Sequence, residues 1–252
     1  MSVYQKTIGR VFTLSGVGVH GGTSASATFL PADVNTGIIF RRSDIKDAPD
    51  TRAHASEIGA TDLCTALGPQ EARINTVEHL MAAIAALGID NLIVEIEGPE
   101  VPILDGTSAR FIDAFDEAGI VTQDAKRRFI RILKTVRVEA GGSWGEFQPY
   151  SGTRYEVEID FECPLIGRQK YANDINEEAF RKDISTARTF GFMKDVERLW
   201  AAGLALGSSL DNSLVIGDDN SVINPGGLRF KDEFVRHKTL DAVGDLALAG
   251  LP

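Results

Sequence analysis

Residues 235–245 read VRHKTLDAVGD and carry three polar side chains at intervals of four. On a helix, His237, Asp241 and Asp245 therefore share one face. Phe234 lies on the same side of the helical wheel, where a surface helix rarely places a large apolar residue. The pattern favours a helix buried nearly all round, with one polar strip facing a cleft. A solvated acidic face with an incidental histidine is the alternative.

The composition is that of an ordinary soluble globular protein. The chain has 252 residues, of which 43% are hydrophobic and 25% charged, and it can bury one large core or two modest ones. Its formal net charge of -10 and the lack of a basic block argue against broad nucleic-acid binding. The N-terminus lacks the features of a signal peptide, and no apolar run approaches the roughly 18 residues of a membrane span. We therefore expect a cytoplasmic protein, with Cys64 and Cys163 as reduced thiols.

The first half alternates strand and helix patterns. Residues 24–32 (SASATFLPA) have alternating apolar residues, and GIIFRR at 37–42 follows as a second extended run. The segment 74–90 (INTVEHLMAAIAALGID) changes to a helical apolar period, which Gly88 is placed to end. After the strand-like NLIVEIEG, a turn leads into a further helix that Ser108 is placed to cap.

A polar segment, TQDAKRR at 122–128, divides the chain near its middle. The same scheme recurs beyond it. We predict strands at FIRILKTVRVEA, RYEVEIDFECP and NSLVIG, a short helix at VERLWAAGLALGSS, and a final helix opened by Asp232. Two halves that each mix strands and helices predict two α+β domains packed together, residues 1–122 and 128–252.

The polar strip suggests a metal site. A His and an Asp at i and i+4 can share one zinc ion, and a catalytic zinc site generally has three protein ligands. The chain has four histidines, of which His79 is the best third ligand because it follows Glu78 at the start of a strongly periodic helix. Glu78 is then placed to take a proton from water. The alternative is structural, with Asn75 or Thr76 as N-cap and Glu78 near the acidic position of a capping box.

Several separate motifs resemble segments of one enzyme family, the UDP-3-O-acyl-N-acetylglucosamine deacetylases, which are the zinc amidases of lipid A biosynthesis in Gram-negative bacteria. These motifs are TVEHLMAAIAALGIDN, PILDGTSARF, ARTFGFM, GLRFKDEFVRHKTLDAVGDL and the early SGVGVHGG. The similarity runs in order from about residue 5 to residue 251. It implies two domains of similar α+β topology, each a β-sheet layered against helices, with the active site at the domain interface.

The resemblance implies roles for individual residues. Three residues match the family's zinc ligands: His79, His237 and Asp241. Fe²⁺ can occupy the same ligands. Glu78 matches the general base. Thr189, in ARTFGF, matches a residue that helps to hold the oxyanion, and Lys238 matches a cationic side chain near the polar head of the substrate.

The segment from Phe190 to about Val215 resembles an insert that shapes a hydrophobic passage for the substrate's acyl chain. The side chains suited to line it are Phe190, Phe192, Met193, Val196, Leu199 and Leu206. Phe161, in EIDFECP, resembles a wall for the uridine. Packing within a small βα unit explains any one residue of the insert equally well, and an alternating strand would bury Phe161 in any case.

The resemblance also implies the reaction. The acetamide of UDP-3-O-(3-hydroxyacyl)-N-acetylglucosamine is hydrolysed to the amine and acetate, in the committed step of lipid A biosynthesis. Zinc polarises the carbonyl and activates water, Glu78 removes a proton, and Thr189 helps to stabilise the oxyanion. No nucleic-acid partner and no transmembrane segment are expected, and a monomer is the expected state.

The sequence departs from the family after its last helix. The family continues with a strand and a helix that carry a Ser-Gly-His motif, whose histidine is a general acid, whereas this chain ends GDLALAGLP. Asp245, a catalytic residue that partners that histidine in the family, is expected to lack this partner. The alternatives are a shortened form of an active enzyme, a natural weakened deacetylase, and a non-catalytic zinc protein that binds the nucleotide-sugar lipid. We favour a deacetylase.

Overall fold

The protein has a mixed α+β fold, as predicted, in a computed structural model that describes residues 3–252. The elements of the first half are β1 (Tyr4–Ile8), β2 (Phe12–Val17), β3 (Ser24–Pro31), β4 (Ile38–Arg42), β5 (Thr51–Arg52), β6 (Ile58–Ala60), β7 (Ala66–Leu67), α1 (Glu78–Leu87), β8 (Leu92–Glu97), α2 (Ala109–Ala118) and β9 (Ile120–Lys126). Those of the second half are β10 (Val136–Ala140), β11 (Ser143–Phe147), β12 (Arg154–Asp160), β13 (Arg168–Asp174), α3 (Glu177–Asp183), β14 (Phe190–Phe192), α4 (Val196–Ala201), β15 (Leu214–Ile216) and α5 (Glu233–Ala247).

A sheet of five strands organises the first half, in the order β2-β3-β8-β4-β5. Neighbouring strands are antiparallel except β4 and β8, which run parallel. The alternation predicted for β3 is confirmed, since Ala25, Ala27 and Phe29 are at most 1% exposed. Phe29 stacks on Phe12 of β2 and meets Phe115 of α2 edge-on, with ring centroids 4.6 and 5.3 Å apart. Helix α2 therefore covers this end of the sheet.

The described strands of the second half form separate pairs. They do not join into a single sheet. The pairs β10-β11 and β12-β13 are antiparallel, and β14-β15 is parallel. The strand predicted over FIRILKTVRVEA is wrong for its first seven residues, because pairing begins only at Val136, opposite Phe147. The strands predicted at RYEVEIDFECP and NSLVIG are present as β12 and β15.

The polar segment 122–128 is largely a strand of the first half. Its residues up to Lys126 belong to β9, which pairs antiparallel with β1. The Gln123 side chain donates a hydrogen bond to the Ala32 carbonyl at 2.8 Å and accepts one from the Asn91 amide at 2.7 Å. The segment that the sequence presents as a divider is therefore mostly a paired strand, and Gln123 ties it to Ala32 and Asn91.

The main hydrophobic core extends across both halves of the chain. Leu80 and Ile84 of α1 belong to it together with Leu240 of α5. The two helices approach closely at Gly244, where an added Cβ would lie 2.0 Å from the carbonyl oxygen of Glu78. Only a residue without a side chain fits there, so this glycine permits the contact between α1 and α5.

The start of α1 differs from the capping prediction. Val77 occupies the N-cap position, so the assignment of Asn75 or Thr76 as N-cap is wrong. Thr76 has a φ of 59°, and its hydroxyl donates to the carboxylate of Glu100 at 2.7 Å. Gly88 ends the helix in the left-handed region, with a φ of 66°, as predicted.

The last predicted helix, α5, is also present, with Asp232 at its N-cap position. The prediction of nearly all-round burial is confirmed in part, because Phe234 and His237 are buried while Lys238, Asp245 and Leu246 are exposed. The buried residues are Glu233, Phe234, Val235, His237, Thr239, Leu240, Val243 and Gly244. Within residues 3–252, no helix has the length and apolar character that crossing a membrane requires.

Candidate active site

Helices α1 and α5 bring three candidate metal ligands together. His79 lies in the first turn of α1, and His237 and Asp241 lie one turn apart on α5. Nε2 of His79 is 3.4 Å from Oδ1 of Asp241, and Nε2 of His237 is 3.3 Å from the same oxygen. One potential ligand atom from each residue lies within 4.8 Å of the other two. Residues far apart in sequence thus converge on one point.

The surroundings of these three residues fit a cation. The Ala187 carbonyl oxygen lies 3.0 Å from Nδ1 of His237, which leaves Nε2 to face Asp241. Oδ1 of Asp241 is buried and has no hydrogen-bond partner among the described residues, despite the two imidazoles near it. A buried carboxylate oxygen is costly unless it is paired or coordinates a metal. Two imidazoles and one carboxylate are a ligand set that zinc accepts, so the donors fit this ion.

The charges of the three ligands depend on one another. Burial would raise the pKa of the Asp241 carboxyl, but the imidazoles and the Lys238 ammonium beside it hold that pKa well below its usual range. Burial lowers the pKa of His237 to about 4. This imidazole is therefore neutral at pH 7, as a metal ligand must be. Burial also acts to lower the pKa of His79, but the Asp241 carboxylate raises it above its ordinary value.

Glu78 is buried beside the candidate ligands, and a backbone hydrogen bond holds its carboxylate. Its Oε2 accepts a hydrogen bond from the backbone N–H of Thr65 at 3.1 Å. Burial raises the pKa of Glu78 to about 7, although the neighbouring His79 opposes the shift. A carboxyl with a pKa near the working pH exchanges protons efficiently. Its position and its protonation behaviour therefore suit a general base.

Two further charged residues of α5 lie next to the ligands. Nζ of Lys238 donates to Oδ2 of Asp241 at 3.0 Å, and 43% of the Lys238 side chain is exposed. The Thr65 hydroxyl donates to Oδ1 of Asp245 at 2.6 Å. Asp245, for which no histidine partner was expected, thus has a hydroxyl partner. Thr65 contacts two carboxylates, Asp245 through its side chain and Glu78 through its backbone.

The three phenylalanines predicted to contact substrate form one cluster. The ring of Phe161 lies 5.7 Å from that of Phe190 and 6.2 Å from that of Phe192, between centroids. The ring centroid of Phe190 also lies 6.4 Å from that of His237 and 5.5 Å from Nζ of Lys238. All three phenylalanines are half-buried. An aromatic surface therefore adjoins the candidate ligands.

The other residues predicted to line an acyl passage lie farther along the same segment. Met193 and Leu206 are exposed. Val196, at the start of α4, and Leu199 are half-buried. The backbone N–H of Leu206 donates to the carbonyl of His20 at 3.0 Å, so the segment also contacts the first half of the chain.

Two hydrogen bonds hold the backbone of Thr189, the residue predicted to contact the oxyanion. Its N–H donates to the Gly106 carbonyl at 2.9 Å, and its carbonyl accepts from the N–H of Leu214 at 2.7 Å. It lies two residues after Ala187, whose carbonyl contacts His237. These bonds hold the Thr189 backbone on the same segment that orients a candidate ligand.

Sequence reasoning missed the residues that contact the candidate site residues and hold them in place. Thr65 and Ala187 were not identified, and Ser108 was interpreted only as a helix cap. The Ser108 hydroxyl instead donates to the carbonyl of His79 at 2.7 Å and does not cap α2. These contacts join positions from 29 to 180 residues apart. No local sequence signal marks them.

Known proteins with similar sequences identify the family. The UDP-3-O-acyl N-acetylglycosamine deacetylase family (LpxC) matches residues 5–252. The chain belongs to this family. The UDP-3-O-acyl-N-acetylglucosamine deacetylases of Brucella ovis and Brucella canis are each 82% identical to it over 252 residues, and that of Brucella melitensis biotype 2 is 81% identical. The match covers 100% of this chain and 88% of each of these deacetylases. The resemblance inferred from the motifs is confirmed, and the chain is a deacetylase.

Proposed function

We propose that this deacetylase hydrolyses the acetamide of UDP-3-O-(3-hydroxyacyl)-N-acetylglucosamine to acetate and the free amine, in the committed step of lipid A biosynthesis. The supporting observation is the convergence of His79, His237 and Asp241 beside the buried carboxyl of Glu78. The Brucella relatives supply the substrate class, because their name specifies UDP-3-O-acyl-N-acetylglucosamine.

The same three residues would hold the metal, and zinc is the ion that we propose. When bound, zinc supplies a Lewis acid for the acetamide carbonyl and lowers the pKa of water toward neutrality. Fe²⁺ can use the same ligands. The Ala187 carbonyl, at 3.0 Å from Nδ1 of His237, keeps Nε2 directed at the site.

Glu78 moves the proton in this proposal. A carboxylate oxygen of Glu78 takes a proton from the attacking water as the new C–O bond forms. The Thr65 N–H fixes the orientation of that carboxylate. The carboxyl then returns the proton to the amide nitrogen as the C–N bond breaks, so that acetate and the amine leave. The pKa of about 7 allows both transfers near neutral pH.

Three further residues stabilise charge. The Thr189 hydroxyl donates to the oxyanion, where preorganised donors usually contribute most. The Asp241 carboxylate raises the pKa of Lys238, so this ammonium stays charged near the polar head of the substrate. Asp245, held by Thr65, adds a negative charge that favours the protonated form of the departing amine.

The substrate's apolar and aromatic parts have separate contacts. We assign the uridine to Phe161, whose ring packs with Phe190 and Phe192. The acyl chain then follows the apolar side chains of the segment beyond β14. The residues of this passage are Phe190, Phe192, Met193, Val196, Leu199 and Leu206. Their partial exposure leaves surface for an acyl chain to cover.

We assign two similar α+β domains to residues 1–122 and 128–252, because α1 and α5 then contribute to the active site from different domains. One chain supplies every proposed ligand, which favours a monomer. A nucleotide-sugar substrate favours a cytoplasmic location.

The test is acetate release from this substrate by zinc-loaded protein. We expect Glu78→Ala to lower kcat by about 10²–10⁴-fold and His237→Ala to abolish both zinc binding and turnover. His54→Ala, an exposed histidine outside the site, is the matched control and should keep both. Acetate release that survives His237→Ala would refute the metal assignment. Substrate binding without acetate release by the unmutated protein would favour a non-catalytic binding protein.

A further inference from the structure

A buried carboxylate that takes no part in the proposed chemistry lies next to the segment that leads into α1. Glu100 follows β8 and is 1% exposed. It forms no ion pair with any residue of the described range 3–252. Burying a carboxylate is costly unless hydrogen bonds or opposite charges compensate. The donors that surround Glu100 therefore indicate what its charge stabilises.

The first donor is at the start of α1. The Thr76 hydroxyl donates to Oε1 of Glu100 at 2.7 Å. Thr76 has a φ of 59°, a conformation that is rare for a β-branched residue. It lies two residues before Glu78 and three before His79. The hydrogen bond to Glu100 thus holds an unfavourable backbone conformation next to the general base and the first metal ligand.

The other donors belong to the loop 18–22, between β2 and β3. The backbone N–H of His20 lies 3.1 Å from Oε1 of Glu100, and that of Gly21 lies 3.1 Å from Oε2. A Cβ on Gly18 would come within 2.2 Å of Oε2, so the loop can surround the carboxylate only with glycine at this position. The carboxylate therefore organises the loop.

The same loop contacts the proposed acyl passage. The carbonyls of His20 and Val19 accept hydrogen bonds from the N–H groups of Leu206 and Gly207, both at 3.0 Å. A Cβ on Gly207 would lie 2.2 Å from the Gly18 carbonyl oxygen, which shows how tightly the two segments fit. One carboxylate is thus connected both to α1 and to the segment that carries Leu206.

We propose that Glu100 is a positioning residue, which sets Glu78 and His79 relative to the acyl-binding segment. It touches neither the ligands nor the proposed substrate and acts through Thr76 and the loop 18–22. A carboxylate is needed because both oxygens must accept hydrogen bonds. The amide of Gln would turn an NH₂ group toward a donor. The proposal rests on the proposed function for its catalytic consequence, but not for its effect on zinc binding.

The test separates the two connections. Glu100→Gln weakens both, Thr76→Val removes only the hydroxyl donor at α1, and Thr76→Ser keeps that donor as the matched control. Each purified variant is examined for its thermal midpoint, its zinc dissociation constant by chelator competition, and kcat and KM with the acylated substrate. The zinc measurement needs no turnover.

We expect Thr76→Val to weaken zinc binding and lower kcat, each on the order of tenfold, with KM unchanged. Glu100→Gln should do the same and also raise KM, because the acyl-binding segment loses its anchor. Thr76→Ser should keep the zinc affinity and kcat of the unmutated protein. The proposal would be overturned if the folded Thr76→Val and Glu100→Gln proteins differed from the unmutated protein only in thermal midpoint. If Glu100→Gln does not fold, the result for Thr76→Val decides. Unmutated protein that binds zinc without releasing acetate would refute the proposed function, while zinc affinity would still test the positioning.

Discussion

Gly244 of α5 faces the carbonyl oxygen of Glu78 on α1 so closely that an added Cβ would lie 2.0 Å from that oxygen. The three proposed metal ligands depend on this contact, because His79 is on α1 while His237 and Asp241 are on α5. A side chain at position 244 would push the helices apart at the level of the site. Gly244 thus permits the close approach of the two helices at the level of the site.

Gly244→Ala should therefore lower both stability and zinc affinity. Overpacking of this kind costs about 1–3 kcal/mol in the free energy of unfolding, even though alanine favours a helix more than glycine does. Urea unfolding and chelator competition measure the two effects. Gly145→Ala is the control, because a Cβ there meets nothing within 4 Å. An alanine at 244 that raised stability would show that the helices can separate without cost.

Adding zinc should stabilise the folded protein through the three ligands. At a free zinc concentration of 100 times the dissociation constant, the free energy of unfolding should rise by about 2.7 kcal/mol. Asp241→Ala should remove this increase, whereas Asp113→Ala, an exposed substitution on α2, should keep it. Thermal midpoints with zinc and with a chelator provide the measurement. An equal zinc effect in the Asp241→Ala protein would place the ion elsewhere.

Local patterns were sufficient for the helices that carry the site. The apolar period of α1 and the mixed face of α5, with Phe234 beside His237, were readable because each signal repeats within a few turns. Gly88 was readable as a helix end because the left-handed conformation there favours glycine. Spacing on α5 and the place of His79 in its helix already suggest the three candidate ligands, but only the resemblance favours this set over the structural alternative.

Long-range hydrogen bonds explain what was missed. The polar segment 122–128 has the pattern of a boundary between domains. Most of it is strand β9, whose backbone pairs with β1 and whose Gln123 side chain accepts a hydrogen bond from Asn91. Thr76 gave the pattern of a helix cap, but its hydroxyl bonds to Glu100, 24 residues away. A polar residue has the same local signal whether its partner is water or a distant buried group.

The buried ion pair Arg188–Glu233 should be essential for the fold around the site. Glu233 is 0% exposed and accepts from Nε of Arg188 at 2.8 Å, while Nη2 of Arg188 donates to the Gly227 carbonyl. Glu233→Gln leaves a buried guanidinium without its counter-charge, so we expect a loss of about 3–5 kcal/mol in the free energy of unfolding. Glu158→Gln, which breaks the exposed pair with Arg168, should cost about 0–1 kcal/mol. Equal losses in the two variants would contradict a special role for burial.

Cys64 should react with iodoacetamide only at high pH. Burial raises the pKa of its thiol to about 11, and the negative charge of Glu78 adds to the shift. Only the thiolate is nucleophilic, and it forms as the pH rises toward that value. At pH 8 alkylation should be roughly a hundredfold slower than for a free cysteine of pKa about 8.5, and the rate should still climb at pH 10, where the free thiol has reached its plateau. Mass spectrometry of the labelled peptide measures the rate, and Cys64→Ser assigns any remaining label to Cys163. A plateau near pH 9 would show that the thiol is solvated and that neither burial nor the charge of Glu78 raises its pKa.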